Sequence, residues 1–527
     1  MNHITGIPRL QMQLRSLEDS IDQDNPIRFI DAFVDHLDLF KLGFQVKTLK
    51  NEGRPSFESS TLLKIYLYGY LNGLRSSRRL ESDCIRNIEL QWLTHGLFPN
   101  YHTISDFRKD NPIALKNVFK LFVSFLKDID LIGGHTIAID GTKSRAHNSK
   151  KNNYNQKKID RHLAYIEEKS NEYLTQLEDN DTREDVVKVS NIKEKIEKLK
   201  KNKIKYEALQ EQLLSSMEPQ VSTTDPDSRA LLVQGQVVEV CYNIQTAVDD
   251  KHKLVVATHT INRNDRNALT DIALEAKENL QAESFTVIVD KGYHNGREIQ
   301  QVTDAGIISI VAPSEIVNSN SHGTTPAYVV TNFVYNSQDD TYTCPQGNTL
   351  STTGSWHKKS RDQKSSYQFK KYRTPDCKTC PAKHLCTGRT KGGREIERSE
   401  FATAVEANNK RYKENANLYR KRQEINEHIF GTIKRKWGYY YTNLKGLEKV
   451  NGEHSLIMLV YNIKRCFTIL GIPELTEKLK NWTSPFKKNF VITLNGLILS
   501  PFAKLFSILN NFQLKNKSPY NSLLFQI

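Results

Sequence analysis

Three acidic segments hold the residue types that could do chemistry. Asp140 closes the apolar run His135-Thr-Ile-Ala-Ile, and Asp290 closes Phe285-Thr-Val-Ile-Val. The third segment, Asn426-Glu427-His-Ile-Phe-Gly-Thr-Ile-Lys434, lies in an Arg- and Lys-rich stretch that reads as a helix. Three carboxylates far apart in sequence can converge on one edge of a sheet and hold divalent metal, the apparatus of phosphodiester chemistry. Each has an ordinary reading as well. An aspartate before glycine at a strand end often caps a turn, and a glutamate among cations is usually half of a surface ion pair. Only their combination points to metal, and oxygen-only ligands favour Mg²⁺ or Mn²⁺ over zinc.

The elements that must position them follow from the apolar periodicity. Thr136 to Asp140 predicts a buried strand; Val237 to Val248 and Lys253 to Ile261 predict a hairpin across the polar Asp249-Asp250 turn. A helix from about Arg266 to Asn279, a strand Phe285 to Asp290, a helix Gly296 to Asp304 and a strand Ile307 to Val311 complete the series. Strand, hairpin, helix, strand, helix, strand is the order of an α/β ribonuclease H-like core: a mixed five-stranded sheet with flanking helices. Around Glu427, Arg420 and Lys434 stand seven residues to either side and share its face if the helix is unbroken. Tyr419 and Arg422 flank that face. Cations there would hold phosphates while the carboxylate holds metal. Glu424 competes for the metal role but falls outside that register.

Upstream, to about Leu131, the chain reads as helical. Ser59 to Leu71 forms one apolar helix, Ser76 to Leu90 a second with Arg78, Arg79 and Arg86 exposed, and Thr103-Ile-Ser-Asp106 has capping-box spacing. Short basic helices with tight turns suit a helix-turn-helix-like DNA reader, or equally a helical cap packed on the core.

Two insertions interrupt the core. Ile159, Leu163, Ile166, Tyr173 and Leu177, then Ile192, Ile196, Leu199, Tyr206 and Leu213, recur at three- and four-residue steps on either side of acidic Glu178 to Asp185. This predicts an antiparallel coiled-coil hairpin, with a solvated charged arm as the alternative. The second insertion, about Pro313 to Glu400, holds Cys344, Cys377, Cys380 and Cys386. Cys377-Lys-Thr-Cys380 is a knuckle of the zinc-binding kind, and two more thiolates would complete a structural Zn²⁺ tetrahedron. Buried free thiols are the alternative.

The chain has 527 residues, with 75 Lys and Arg against 60 Asp and Glu, a net charge of +15. That length supports two or three domains, and the excess favours a polyanionic partner, nucleic acid first. No apolar signal core opens the chain, and the lipid-like stretch Phe490 to Leu509 is broken by Asn495, Pro501 and Lys504. Seven cysteines, four of them clustered, indicate a reduced compartment. A cytoplasmic protein acting on DNA, with no membrane partner, is expected.

With Ile139-Asp140-Gly-Thr-Lys143, Thr224-Asp225-Pro-Asp-Ser-Arg229, Tyr242 to Asp249, Asp290-Lys-Gly-Tyr293, the cysteine cluster and Glu427 to Lys434, the chain resembles the bacterial DDE-type insertion-sequence transposases, in the branch with a helical N-terminal domain and a Tyr-Arg-Glu-Lys signature. The similarity runs from about Phe57 to Leu470. It implies a helical DNA-binding domain over 1–131 and a ribonuclease H-like catalytic domain over 132–470, with insertions at 144–235 and 313–400 and a tail at 471–527. It implies Asp140, Asp290 and Glu427 as catalytic, metal-binding triad with two Mg²⁺ or Mn²⁺ ions per active site. Lys434, Tyr419 and Arg422 or Arg420 would touch DNA; four residues rather than three separate Arg422 from Glu427. The implied activity is cleavage of double-stranded DNA at terminal inverted repeats and strand transfer into target DNA, by at least a dimer on the bacterial nucleoid. A metal-dependent nuclease without strand transfer, or an inactive DNA-binding derivative, are the alternatives. Asp225 and Asp249 recur in the pattern and are read as turn-stabilising residues.

Overall fold

The computed structural model describes residues 10–12, 14–45, 55–181, 186–216, 218–233, 237–313, 324–361 and 365–484. A central sheet is built from β1 (Thr136–Arg145), β2 (Arg229–Val233), β3 (Val237–Asp249), β4 (Val255–Ile261), β5 (Thr286–Val289) and β6 (Ile308–Val311). Its order is β4-β3-β1-β5-β6, with β2 pairing the start of β3 on the edge that β4 occupies further along. β3 runs antiparallel to both β1 and β4, while β5 and β6 run parallel to β1. The strands β1, β4, β5 and β6 therefore end on one side. Ile137, Ala138, Ile139, Val287, Ile288 and Val289 are all fully buried, as unbroken apolar runs between two covering layers must be.

The helices are α1 (Pro26–His36), α2 (Ser59–Leu71), α3 (Ser77–Arg86), α4 (Ile88–Thr94), α5 (Tyr101–Asp110), α6 (Pro112–Asp128), α7 (Gln156–Asp181), α8 (Val186–Ser216), α9 (Leu269–Leu280), α10 (Gly296–Asp304), α11 (Ala402–Glu414), α12 (Ala416–Phe430), α13 (Leu447–Leu470) and α14 (Ile472–Asn481). Helices seal both edges of the sheet. Asn408 of α11 accepts from the Val311 N–H and donates to its carbonyl, both at 2.8 Å. Asn462 of α13 does the same for Val255 of β4, at 2.9 and 2.8 Å. Edge backbone that would otherwise template pairing is thereby satisfied.

The N-terminal helices share one apolar cluster with the sheet, from Ile21 to Trp482. Phe33 meets Phe122 edge-on at 5.2 Å, and Phe29 meets Phe467 of α13 at 5.5 Å. Where α6 crosses α13, a Cβ on Gly452 would sit 2.6 Å from the Pro112 Cα. Only glycine lets the two backbones approach that closely. The Gly452→Ala variant is expected to lose roughly 1–3 kcal/mol from overpacking, readable as a lower urea midpoint.

Two local expectations are corrected. The helix predicted from Ser76 to Leu90 breaks at Asn87, whose side chain accepts from the Glu89 and Leu90 N–H groups and starts α4. The capping box at Thr103 is absent: Asn100 caps α5 by accepting from the Thr103 N–H, and Asp106 pairs with Lys109 at 2.6 Å. Beyond α14, Trp482 folds back and donates to Asp128 at 2.8 Å. Residues 485–527, with the Phe490 to Leu509 stretch, lie outside the described residues. Among the described residues no single helix is long and apolar enough to cross a membrane.

α7 and α8 pack on each other. His162 stacks on Tyr206 at 4.6 Å and Lys195 covers Tyr173 at 5.4 Å. Ascending positions on one helix thus meet descending positions on the other, an antiparallel pairing, with Ile159, Ile166, Ile192, Leu209 and Leu213 buried along it. A second sheet lies between β6 and α11. Its strands are β7 (Val334–Asn336), β8 (Thr341–Thr343), β9 (Thr349–Thr352), β10 (His357–Arg361), β11 (Ser365–Arg373) and β12 (Ile396–Ser399), in the order β10-β11-β9-β8-β7 with β12 on β11.

Candidate active site

The parallel register pairs Ile139 of β1 with Val289 of β5. The next residue on each strand is Asp140 and Asp290, so the two carboxylates are level neighbours on one edge. β5 ends there, whereas β1 continues to Arg145; Asp140 therefore sits inside a strand rather than at its end, a correction to the sequence reading. Over this pair α12 lays Arg422. Its guanidinium lies 3.2 Å from Asp140 and 3.8 Å from Asp290, and the Tyr419 ring backs it at 5.8 Å.

A third carboxylate joins them that the sequence reading missed. Asp265 follows β4, at the same side of the sheet, in a one-turn helix at Asp265–Asn267. Its Oδ1 accepts from Asn243 at 2.7 Å and Gln245 at 2.9 Å, and Lys143 lies 3.3 Å away. Gly141 makes room for this cradle, since a Cβ there would collide with Asp265 and Gln245. The buried Tyr293 hydroxyl closes it by donating to Gln245. Proximity of Asp265, Asp140 and Asp290 adds to the burial that drives the Tyr293 hydroxyl well above its ordinary value.

Burial pushes the Asp140 carboxyl up to about 6, against the pull of Arg422 and the Gly141 N–H and with the neighbouring Asp290 and Asp265 adding to it. A folded value above the unfolded one means the carboxyl contributes stability below the unfolded value and loses it as pH rises through about 6. Charged Asp140 thus costs the cation-free fold stability at neutral pH. Asp140→Asn, measured in EDTA at pH 7.5, is expected to gain about 1–3 kcal/mol of unfolding free energy, and the gain should vanish near pH 4. Equal effects at both pH values would contradict it.

Glu427 stands apart from this cluster. It is exposed on α12, and its Oε1 accepts from Gln423 at 2.8 Å. No ion pair or hydrogen bond joins it to Asp140 or Asp290 among the described residues. Glu424 pairs with Lys253 at 3.3 Å. The face that Arg420 and Glu427 share on α12 does not extend to Lys434, because α12 stops at Phe430 and Gly431–Lys436 wind as a wider π-turn. Lys434 consequently points inward and donates to the Lys143 carbonyl, and burial lowers its pKa. Arg420 is exposed.

The donor set suits a hard cation in kind. Besides the aspartates, the buried amide oxygens of Asn243 and Asn426 have no hydrogen-bond partner, and Asn426 lies one turn beyond Arg422 on α12. Still, no group of three or more His, Cys, Asp or Glu side chains among the described residues is arranged to hold a metal ion. That holds for the cysteines too, although Cys344, Cys377, Cys380 and Cys386 line one small cavity of about 20 Å³ beside Phe333 and Tyr328. Burial raises the Cys386 thiol, with the other three sulfurs adding to the effect.

Asp225 and Asp249 are structural. Asp225 is fully buried and accepts from the Tyr242 hydroxyl at 2.7 Å and the Gly446 N–H at 3.0 Å. Asp249 ties the Gly133, Gly134 and Lys251 N–H groups at 2.8–3.1 Å.

Residues 343–467 match a family model described as Transposase DDE domain, and residues 15–110 match one described as Transposase domain (DUF772). The first takes in the cysteine cluster, α12 and most of α13; Asp140, Asp265 and Asp290 lie outside both. No curated protein and no solved structure matches the chain.

Proposed function

From its membership of the DDE-type transposases of insertion sequences, we propose that this protein binds the terminal inverted repeats of such an element, cuts there and joins the freed 3′-hydroxyls to target DNA. The observation that carries the reading is the level pair Asp140 and Asp290 sharing Arg422 on the edge where β5 ends and β1 runs on to Arg145. Ligands in open α/β sheets bind at the carboxyl ends of strands. We read the six-stranded sheet as an elaborated ribonuclease H-like core and assign residues 132–470 to it, with 1–131 as the DNA-binding helical part, insertions at 144–235 and 313–400, and a tail from 471.

Two Mg²⁺ or Mn²⁺ ions would be held by Asp140, Asp290 and Glu427. Bound there, they supply Lewis acidity to the phosphodiester and its attacking oxygen. Glu427 is free enough to serve, since its bond is to a side chain of its own helix. Arg422 supplies positive charge between the aspartates and, with Tyr419 and exposed Arg420, faces the phosphates of the substrate. Lys434 positions the far half of β1 through the Lys143 carbonyl. The protein would act on the nucleoid as a dimer or larger assembly, since two element ends are cut together.

The test is incubation of the protein and Mg²⁺ with duplexes carrying the element's ends and a supercoiled target. Joined products with target duplications are expected. Cleavage without joining would leave a nuclease, and binding without cleavage an inactive derivative.

A structural zinc held by Cys344, Cys377, Cys380 and Cys386 is proposed for the second sheet, because all four line one cavity. Cys377→Ser is expected to lose bound zinc by elemental analysis and to lower the melting temperature without changing the pH profile of cleavage. A folded wild type free of zinc would refute it.

A further inference from the structure

A cavity of about 570 Å³ opens where the start of α3 meets residues 437–443, which follow the π-turn after α12. Arg75, Arg78, Arg79, Tyr101, Trp437 and Tyr441 line it. Asp106, the lining carboxylate, is taken by Lys109. Ser76 makes no capping bond to α3, which leaves the N–H groups of its first turn for a ligand.

The second observation lies in the cavity wall. Arg75 is 7% exposed, held between the rings of Tyr439 at 4.5 Å and Tyr441 at 4.4 Å. Its Nη1 donates to the Tyr441 carbonyl at 2.9 Å, but its Nη2 has no partner. Beneath it Arg108 is also buried, and both guanidinia face the single carboxylate of Glu453, at 3.6 and 3.9 Å. Two buried cations against one anion leave a surplus positive charge, which a bound anion would neutralise. With Arg78 and Arg79 at the mouth, the preference is for phosphate in particular.

The cavity is also wired to the strand that carries Asp140. The Arg145 N–H donates to the Tyr440 carbonyl, and the Thr442 N–H to the Arg145 carbonyl, each at 2.9 Å. Arg145 stands five steps along the strand from Asp140, a path of roughly 16 Å at about 3.3 Å per residue.

We propose that this cavity seats a backbone phosphate of the DNA being processed, roughly five nucleotides from the bond cut over Asp140 and Asp290. The assignment rests on the transposase reading above. Bound there, the phosphate joins α3 to the segment after α12 and so fixes the helical part on the catalytic edge.

The experiment is fluorescence anisotropy of the full chain with a labelled element-end duplex across a NaCl series. Arg78→Ala/Arg79→Ala, at two exposed positions, is expected to weaken affinity about tenfold and to flatten the slope of log K against log salt by about 1–2. Lys198→Ala/Lys201→Ala on α8 removes the same charge elsewhere and should leave the slope unchanged. An unaltered slope in the arginine variant, or an equal drop in the lysine control, overturns the proposal. So does a variant that loses thermal stabilisation by inorganic phosphate but keeps the wild-type DNA slope, since the cavity would then take free phosphate. A wild type that binds no DNA would sink the transposase reading itself, and this assignment with it.

Discussion

Asp290→Asn is expected to abolish both nicking and strand joining, by about 10³-fold or more, while leaving affinity for the element ends within about twofold. A loss of that size is about 4 kcal/mol of transition-state stabilisation. The amide keeps the carboxylate's shape at the end of β5 but surrenders the negative charge that a divalent cation needs. Little of the fold depends on that charge, because the Arg422 contact to Asp290 is long at 3.8 Å and its bond to Asp140 at 3.2 Å survives. DNA affinity comes from Lys and Arg contacts to phosphate and should persist. Gel-shift and cleavage assays on the same preparation check it. Loss of binding alongside cleavage would mean that Asp290 acts through structure.

Glu453→Ala carries the largest expected cost in stability. The side chain is fully buried, and its oxygens accept from the Asn443 N–H at 3.2 and 3.0 Å and the Leu444 N–H at 3.1 Å. Among the described residues it is also the one carboxylate that Arg75 and Arg108 face within 4 Å. Truncation orphans the backbone donors and strands two buried guanidinia, a combination that costs about 3–5 kcal/mol. Glu453→Gln should cost less, because one acceptor oxygen remains. Urea denaturation of the three proteins measures both, and a loss under about 1 kcal/mol for Ala would show water replacing the carboxylate.

The apolar strands were legible because their burial is dictated by residue type. Thr286–Val289 and Val255–Ile261 are where continuous β-branched runs put them, and the level placement of Asp140 and Asp290 follows once those strands pair in parallel. Asp265 was not legible. It follows β4 inside Asn262-Arg-Asn-Asp265-Arg-Asn, a polar run indistinguishable from an ordinary turn before a helix. The available signal was topological: a carboxylate just after a strand that runs in the same direction as β1. The seven-residue spacing of Arg420, Glu427 and Lys434 misled because it assumes one α-helical pitch, and the π-turn at Gly431–Lys436 shifts Lys434 inward. The true caps at Asn87 and Asn100 were equally hidden, since Ser, Thr, Asn and Asp at neighbouring positions compete for the role. Close approach of α6 to α13 depends on Gly452, and a glycine in a long apolar helix does not disclose its partner.

The most direct measurement of the central claim is anomalous scattering from crystals soaked in MnCl₂. Manganese peaks bound by both Asp140 and Asp290, with the Arg422 guanidinium displaced from between them and Glu427 or Asp265 as a further ligand, are what this account predicts. Well-ordered crystals in saturating Mn²⁺ that show Arg422 still seated between the two aspartates and no metal on either would contradict it.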